Sequence, residues 1–338
     1  MSQTILVTGG AGYIGTHCCV ELLDAGYKVV VLDNLSNSKA SALDRVREIT
    51  GKDFDFIEAD LLDLPAIMSA FEQYRPDSVI HFAGLKAVGE STEQPLRYYR
   101  NNVGGTLELL TAMESAAVRN IVFSSSCTVY GVPDQLPLRE DAPLRAHNPY
   151  GATKLAIEDI LRDLAAHQPD WNISLLRYFN PVGAHHSGLI GEDPNGIPNN
   201  LMPNIQQVAV GRRDHVSVWG NDYPTRDGTG VRDYIHVTDL AIGHLHALRK
   251  LEERPGLITH NLGRGEGYSV LEVVRAFELA AGVEIPFEIM PRRPGDIAEA
   301  WADPGKAKAE LGWTAQRDLA AMCVDAWNWQ QRNPEGYP

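Results

Sequence analysis

The chain has 338 residues, 44% of them apolar and 22% charged, with a net charge of −14. That length suits two modest domains or one large domain with an appended lobe, and the composition is that of a soluble globular protein. The charge argues against nucleic acid and acidic membranes as partners, and no apolar run approaches the ~18 residues a membrane span needs. Met1-Ser-Gln-Thr4 lacks the basic region of a signal peptide, so the apolar residues after it read as a first strand. Cys18, Cys19, Cys127 and Cys323 lack metal-ligand spacing, and the adjacent pair cannot easily bridge. Reduced thiols, no metal and a cytoplasmic location are expected.

In chain order, Thr4-Ile-Leu-Val-Thr8 predicts a buried strand, followed by a glycine turn and a helix to Ala25. A second strand runs over 27–33, and others fall near 54–59, 78–82, 121–125 and 172–178. Helical stretches separate them, the longest over 94–117 and another opening at Pro149 and Tyr150 and ending near 166. Apolar strands alternating with helices predict an α/β fold with a doubly wound parallel (Rossmann) sheet. Residues 181–231, rich in Gly, Pro, Asn and His, predict long loops around one helix over 200–210. Beyond them come a helix over 236–252, a strand over 258–262, a helix over 269–281, a strand over 287–290 and a helix over 319–331. The expected design is a Rossmann domain of residues 1–180 plus 231–262 and a smaller mixed α/β substrate-binding lobe of 181–230 plus 263–338.

Gly10-x-Gly12-x-x-Gly15, with Gly9 adding a second spacing, follows a strand and opens a helix. There glycines permit a tight turn, and the helix N-terminus faces a dinucleotide pyrophosphate. Asp33 ends the second strand, where a carboxylate can bind the adenosine ribose and would repel a 2′-phosphate, so NAD is expected over NADP. Asp60-Leu61 and His81-Phe82-Ala83-Gly84-Leu85-Lys86 follow later strands, at the sheet edge where ligands bind; Lys86 could meet phosphate or ribose, or be a solvated loop lysine.

Tyr150 and Lys154 are spaced i and i+4, on one helix face, so the ammonium is expected to stabilise a phenolate and lower the Tyr150 pKa. Ser124-Ser125-Ser126 ends a strand upstream and can offer a hydroxyl to the same oxygen. Together these groups predict a base that deprotonates an alcohol beside a nicotinamide.

In that ordered set the chain resembles the extended short-chain dehydrogenase/reductase superfamily, and within it the UDP-galactose 4-epimerase family. The likeness is carried by Thr8-Gly-Gly-Ala-Gly-Tyr-Ile-Gly15, His81-Phe-Ala-Gly-Leu-Lys-Ala-Val-Gly-Glu90 and Ser124-Ser-Ser-Cys-Thr-Val-Tyr-Gly131. Leu176-Arg-Tyr-Phe-Asn-Pro181, Gly191-Glu-Asp-Pro-Asn-Gly-Ile-Pro-Asn-Asn-Leu-Met-Pro203 and Gly228-Thr-Gly-Val-Arg-Asp-Tyr-Ile-His236 extend it over nearly the full length. The resemblance implies Tyr150 as catalytic base, Ser126 as its partner on the sugar oxygen, and Lys154 as the residue that tunes Tyr150 and holds the nicotinamide ribose. For NAD it implies Gly9, Gly12, Tyr13, Ile14, Gly15, Asp33, Asn34, Asp60, Leu61, Phe82, Ala83, Gly84, Lys86, Asn101, Ser126, Tyr150, Lys154 and Phe179. For a UDP-hexose it implies Lys86, Ser126, Tyr150, Tyr178, Asn180, Asn200, Leu201, Trp219, Arg232, Tyr234, Arg293, Asp296 and Ala300. Either of those arginines could equally be a surface ion pair.

The implied chemistry is C4 epimerisation through a 4-keto sugar, with tightly held NAD and no net redox change, in a homodimer built on the helices near 94–117 and 150–166. Cys127 stands where the family more often has alanine, and the change reads as packing. Ala300 is small where relatives restricted to plain hexoses carry a bulky aromatic, which implies UDP-GlcNAc and UDP-GalNAc as further substrates unless neighbouring loops refill the space. A 4,6-dehydratase would need an Asp-Glu pair where this chain has Cys127-Thr128 and Val129. A net dehydrogenase would exchange NAD(H) at every turnover, and a non-catalytic NAD sensor would have no need of Ser126, Tyr150 and Lys154 together.

Overall fold

The computed structural model describes residues 2–196, 198, 200–293 and 295–338. The first half builds a parallel sheet: β1 (Thr4–Thr8), α1 (Tyr13–Asp24), β2 (Lys28–Asp33), α2 (Ser41–Thr50), β3 (Asp55–Glu58), α3 (Leu64–Tyr74) and β4 (Ser78–His81). After β4 come α4 (Val88–Glu93), α5 (Pro95–Tyr98), α6 (Gly105–Ser115), β5 (Asn120–Ser126), α7 (Pro149–His167) and β6 (Asn172–Tyr178). Its strands read as unbroken apolar runs because helices cover both faces. Ile5 and Val7 of β1 join the core under α1 and α2, while Leu6 joins the opposite core under α3 and α6. Val29 and Val31 against Val30 and Leu32 repeat the division in β2. Each such side chain, once buried, contributes about 1.5–3 kcal/mol.

The second half follows as β7 (Asn180–Val182), α8 (Leu201–Ala209), β8 (Val216–Trp219), β9 (Val231–His236), α9 (Val237–Leu251), β10 (Leu257–Leu262) and β11 (Gly267–Ser269). It ends with α10 (Val270–Ala281), β12 (Phe287–Met290), β13 (Glu299–Ala300), α11 (Gly305–Leu311) and α12 (Leu319–Arg332). The main sheet has seven strands in the order β10-β6-β5-β4-β1-β2-β3, all parallel, so the α/β doubly wound expectation holds. Strand order reverses between β1 and β4, the switch point beyond whose carboxyl ends ligands bind in sheets of this kind. The smaller lobe packs α8, α10 and α12 around Val182, Val216 and Tyr234, beside a sheet in which β9 pairs with β7, β11 and β13, and a separate β8–β12 pair. A fourth apolar cluster, Val129, Tyr130, Leu138, Phe179, Ala300 and Ala302, spans the turn after β5 and β13.

Two stretches differ from the sequence reading. The continuous helix over 94–117 is instead α5, a π-helical turn at Tyr99–Gly104, and α6. Within the π turn Asn102 is buried, and its amide clamps Leu85 through N (2.8 Å) and O (3.0 Å) and reaches Thr153 Oγ1 at 3.1 Å. Such a turn re-aims one residue out of helical phase, which is what this clamp requires. Residues 181–231 hold β7, β8 and the start of β9 besides the expected helix. These strands are too short for a period-2 pattern to stand out between Gly and Pro. Val231–His236 pairs within the smaller sheet, while α9 and β10, which follow it, pack with the main sheet.

Candidate active site

At the carboxyl end of β1 the chain turns on Gly9, whose φ of +70° lies in the left-handed region. A Cβ there would sit 2.6 Å from Ala83 N, and one on Gly15 would sit 2.4 Å from Gly9 O. These glycines therefore let the turn fold on itself and press against the β4 end. Gly12 opens α1 without a side-chain cap, which leaves first-turn amides directed at an incoming phosphate. Gly9→Ala is expected to lower the melting temperature by about 5 °C or more, because a left-handed alanine alone costs about 1–2 kcal/mol before the overlap is counted. It should also shed NAD on desalting; a wild-type melting curve would refute this account.

Asp33 at the end of β2 is buried, and its carboxylate accepts from Ala11 N (3.0 Å), Leu35 N (2.9 Å) and Ser38 Oγ (2.9 Å). It thus braces the glycine turn as well as presenting a negative edge. Asn34 donates to Asp60 at 2.8 Å, bringing a second carboxylate to the same edge. Two acids there favour ribose hydroxyls over a 2′-phosphate. Glycine turn, uncapped helix start and acidic edge thus fit NAD. Of the other residues expected there, Ile14 and Phe82 pack against the core under α1 and α2, whereas Leu61 and Ala83 pack on the opposite core. Tyr13 donates to Gly183 O at 2.7 Å, Asn101 donates to Asn102 Oδ1 at 3.0 Å, and a Cβ on Gly84 would lie 3.3 Å from Asn102 Oδ1.

The reactive groups meet where β5 ends against α7. The pleat alternates the three serines. Ser125 donates to Glu158, while Ser124 offers its carbonyl (2.7 Å) and hydroxyl (3.3 Å) to Lys154 Nζ. Ser126 Oγ accepts from Thr128 N (3.2 Å) and Thr128 Oγ1 (3.0 Å), so its own proton is left for the Tyr150 oxygen. Asn148 caps α7 through Gly151 N at 2.8 Å and sets Tyr150 in the first turn.

The expected depression of the Tyr150 pKa by Lys154 is not what the site shows. Burial pushes the phenol up to about 12, with the Ser126 hydroxyl working in the other direction. Burial also brings Lys154 down to about 7, against the pull of Glu158 one turn further along. The ammonium is turned toward Ser124 O and the Phe123 ring, 4.9 Å from its centre, so the charge that would steady a phenolate is spent elsewhere.

Below this pair lies a buried network that sequence reasoning missed. Arg177 forks onto Glu158 with Nε at 3.0 Å and Nη2 at 2.8 Å, and its Nη1 donates to Tyr130 OH at 2.9 Å. Burial opposes the Glu158 charge, but Arg177, Ser125 and Arg162 outweigh it and hold the carboxyl below its ordinary value. Its only signal in the sequence was Glu158 four residues after Lys154.

Most of the residues expected to meet a UDP-hexose lie on the smaller lobe. Arg232 Nη1 donates to Val231 O (2.9 Å) and Ala298 O (3.4 Å), and its charge reaches the Cys127 thiol beside Ser126. Ala300 pairs in register with Arg232 and packs with Val129 and Phe179. Arg293 forms an ion pair with Asp296 at 2.9 Å and lies over the Trp219 ring, 5.7 Å from its centre. Asn180 pairs with Tyr234 across β7 and β9. Tyr234 and Leu201 pack in the lobe's core, and Tyr178 is buried with its hydroxyl on His244 Nε2, beside Ser124 and Tyr150. Lys86 and Asn200 meet at one carboxylate, that of Glu192. Among the described residues no His, Cys, Asp and Glu group could hold a metal ion, and no helix is long and apolar enough to cross a membrane.

A family model described as GDP-mannose 4,6 dehydratase matches residues 6–326. The UDP-glucose 4-epimerase of Bacillus subtilis (strain 168) is 64% identical over 335 residues, covering 99% of this chain and 99% of its own. The crystal structure of UDP-glucose 4-epimerase from Bifidobacterium longum in complex with NAD+ and UDP superposes with a TM-score of 0.97 at 53% identity, over 99% of this chain and 100% of that one. That of the enzyme from Stenotrophomonas maltophila, with bound NAD and formylated UDP-arabinopyranose, gives a TM-score of 0.96 at 53% identity, covering 98% of this chain and 99% of that one. The chain therefore belongs to the family described as GDP-mannose 4,6 dehydratase, in the extended short-chain dehydrogenase/reductase superfamily, and within it to the UDP-glucose 4-epimerases.

Proposed function

We propose that this chain interconverts UDP-glucose and UDP-galactose at C4, keeping NAD throughout. The observation that carries the reading is the contact of Ser126 with Tyr150 at the end of β5, with Lys154 one turn further along α7 bound to Ser124. Bound NAD supplies the group that takes hydride from C4 and gives it back. Tyr150 removes the C4 hydroxyl proton, and Ser126 donates to that oxygen as it becomes a carbonyl. The return step reverses the proton transfer after the 4-keto sugar has turned its other face, so UDP is gripped and the hexose held loosely. Arg232 and Arg293 suit the diphosphate, since guanidinium forks match phosphate oxygens.

A dehydratase outcome is disfavoured because Thr128, where an acid would be needed, is committed to Ser126. Proton NMR of the sugar anomeric signals, with UDP-galactose and no added NAD, tests the function. Equilibration with UDP-glucose is expected; no conversion even with NAD supplied would end the epimerase reading.

NAD is expected on 1–180 plus 231–262 and the UDP-sugar on 181–230 plus 263–338, except that β9, which carries Arg232 and Tyr234, pairs within the smaller lobe's sheet and goes with the sugar side. A homodimer is expected through the helices after β4, where Leu96 is 84% exposed and Tyr99 and Leu107 are also open. A cytoplasmic setting suits four free cysteines. UDP-GlcNAc and UDP-GalNAc are expected as further substrates, because Ala300 is a buried methyl between Arg232 and Phe179. Ala300→Tyr should cut activity on UDP-GalNAc at least ~10-fold more than on UDP-galactose, since the added ring would fill that space. Equal losses on both sugars would refute the broader specificity.

A further inference from the structure

Glu192 is a buried acid in the loop between β7 and α8. Its Oε1 accepts from Lys86 Nζ at 3.0 Å and from Asn200 Nδ2 at 2.8 Å. Lys86 follows β4 on the expected NAD side; Asn200 stands at the start of α8 on the sugar side. The Glu192 charge is also felt by the phenol of Tyr13, at the first turn of α1. One carboxylate oxygen thus ties together two segments, one from each side of the expected nucleotide sites.

The backbone on both sides of Glu192 is fixed by Tyr337. Gly191 N donates to Tyr337 OH at 3.1 Å, that hydroxyl donates to Gly191 O at 3.2 Å, and Tyr337 N donates to Asp193 Oδ2 at 2.9 Å. Lys39 joins the same knot, 3.2 Å from Asp193 and 2.6 Å from Tyr337 O. A Cβ on Gly191 would lie 2.4 Å from Trp329 Cγ, so the loop has no room to slide. A carboxylate held this rigidly transmits a displacement of either partner to the other.

We propose that Glu192 is a positioning residue that couples the two nucleotide sites, so that a uridine nucleotide in the smaller lobe slows the loss of NAD. Lys86 has three N–H donors. With one on Glu192, the others can meet phosphate oxygens in the geometry the bridge imposes. Asn200 is aligned by the same oxygen. By linkage NAD tightens UDP by the factor that UDP tightens NAD. This inference rests on the sugar-nucleotide reading above.

The test measures how fast purified protein gives up its bound NAD to an excess of labelled NAD over prolonged incubation, with and without saturating UDP, for wild type, Glu192→Gln and Glu192→Ala. UDP should slow the loss about 10-fold or more in wild type, within the usual range of coupling. The Gln variant should keep most of that effect, because its amide oxygen accepts from both partners. The Ala variant should retain less than ~2-fold. Lys86→Met leaves Glu192 in place and removes the bridge from the other end, so it should lose the effect even if the Ala variant melts early. Full coupling in either bridge-breaking variant, its absence in wild type, or loss in Gln as complete as in Ala would overturn the proposal. Turnover of UDP-galactose, read in parallel, judges the reaction separately: coupled binding without turnover would retain Glu192's role and reject the epimerase reading.

Discussion

Tyr150→Phe is expected to lower kcat for UDP-galactose about 10³-fold, within the range for loss of a general base, while the protein keeps its NAD and its melting temperature. The substitution removes one oxygen from a ring whose helix start is held by Asn148 and Thr153, not by the phenol. Thr153 Oγ1 donates to Tyr150 O at 2.7 Å and is itself fixed by Asn102, so the backbone stays in place. With burial holding the phenol at about 12, the ionised base is scarce at neutral pH until positive charge comes near. Lys154, brought to about 7 by burial, gains charge as pH falls and loses it as pH rises. Lys154→Met should lower kcat, and because the ammonium faces Ser124 O and not the phenol, it should leave the rising limb of the pH profile near its wild-type position. A Phe variant retaining a tenth or more of wild-type kcat would remove Tyr150 from the base role.

The parts of this site visible in the sequence are those set by local spacing. Gly10-x-Gly12-x-x-Gly15 after a strand, Asp33 at the next strand's end, and Tyr150 with Lys154 on one helix turn all follow from period and turn chemistry. That the main sheet is parallel and doubly wound follows from the alternation of strands and helices. What escaped depends on distant partners. Arg177 and Glu158 lie on different elements and meet only when β6 packs beside β5 under α7. Glu192 reads as an ordinary loop acid until Lys86, far upstream, closes on it. The direction of the Tyr150 pKa was misread for the same reason: spacing gives proximity, but burial decides which charge survives. The π turn is invisible because Tyr99–Gly104 is as good a helical pattern as its neighbours until Asn102 finds Leu85 and Thr153.

Lowering pH from 7.5 to 5 is expected to destabilise the folded protein by roughly 5 kcal/mol, a large share of the 5–15 kcal/mol that holds a typical domain. Burial brings His17 and His81 down to about 3 and His244 to about 4. Each is locked neutral by its surroundings. Thr106 donates to Asn102 O, so its oxygen receives His81 Nε2–H at 2.9 Å, and Nδ1 accepts from Thr8 Oγ1 at 2.7 Å. His244 faces Leu240 O at 2.9 Å from Nδ1 and receives the Tyr178 hydroxyl at Nε2. His17 Nδ1 meets Tyr13 O at 2.7 Å, and its Nε2 is buried with no partner among the described residues. In the unfolded chain these rings take up protons below pH 6.5, so the stability they contribute is complete above 6.5 and is lost as pH falls toward their folded values. That amounts to about 2 kcal/mol each by pH 5. Asp233 runs the opposite way: burial raises its carboxyl to about 6, although Arg264 N, Gly265 N and Ala302 N all donate to it. Its contribution is greatest below pH 3.8 and falls as pH rises through 6, offsetting about 1 kcal/mol of the acid loss. Urea unfolding at pH 7.5, 6.5, 5.5 and 5.0 measures the slope directly. His81→Asn, which no longer titrates, should flatten it by about two fifths; a midpoint that stays constant from pH 7.5 to 5 would mean that these rings accept protons without leaving the core.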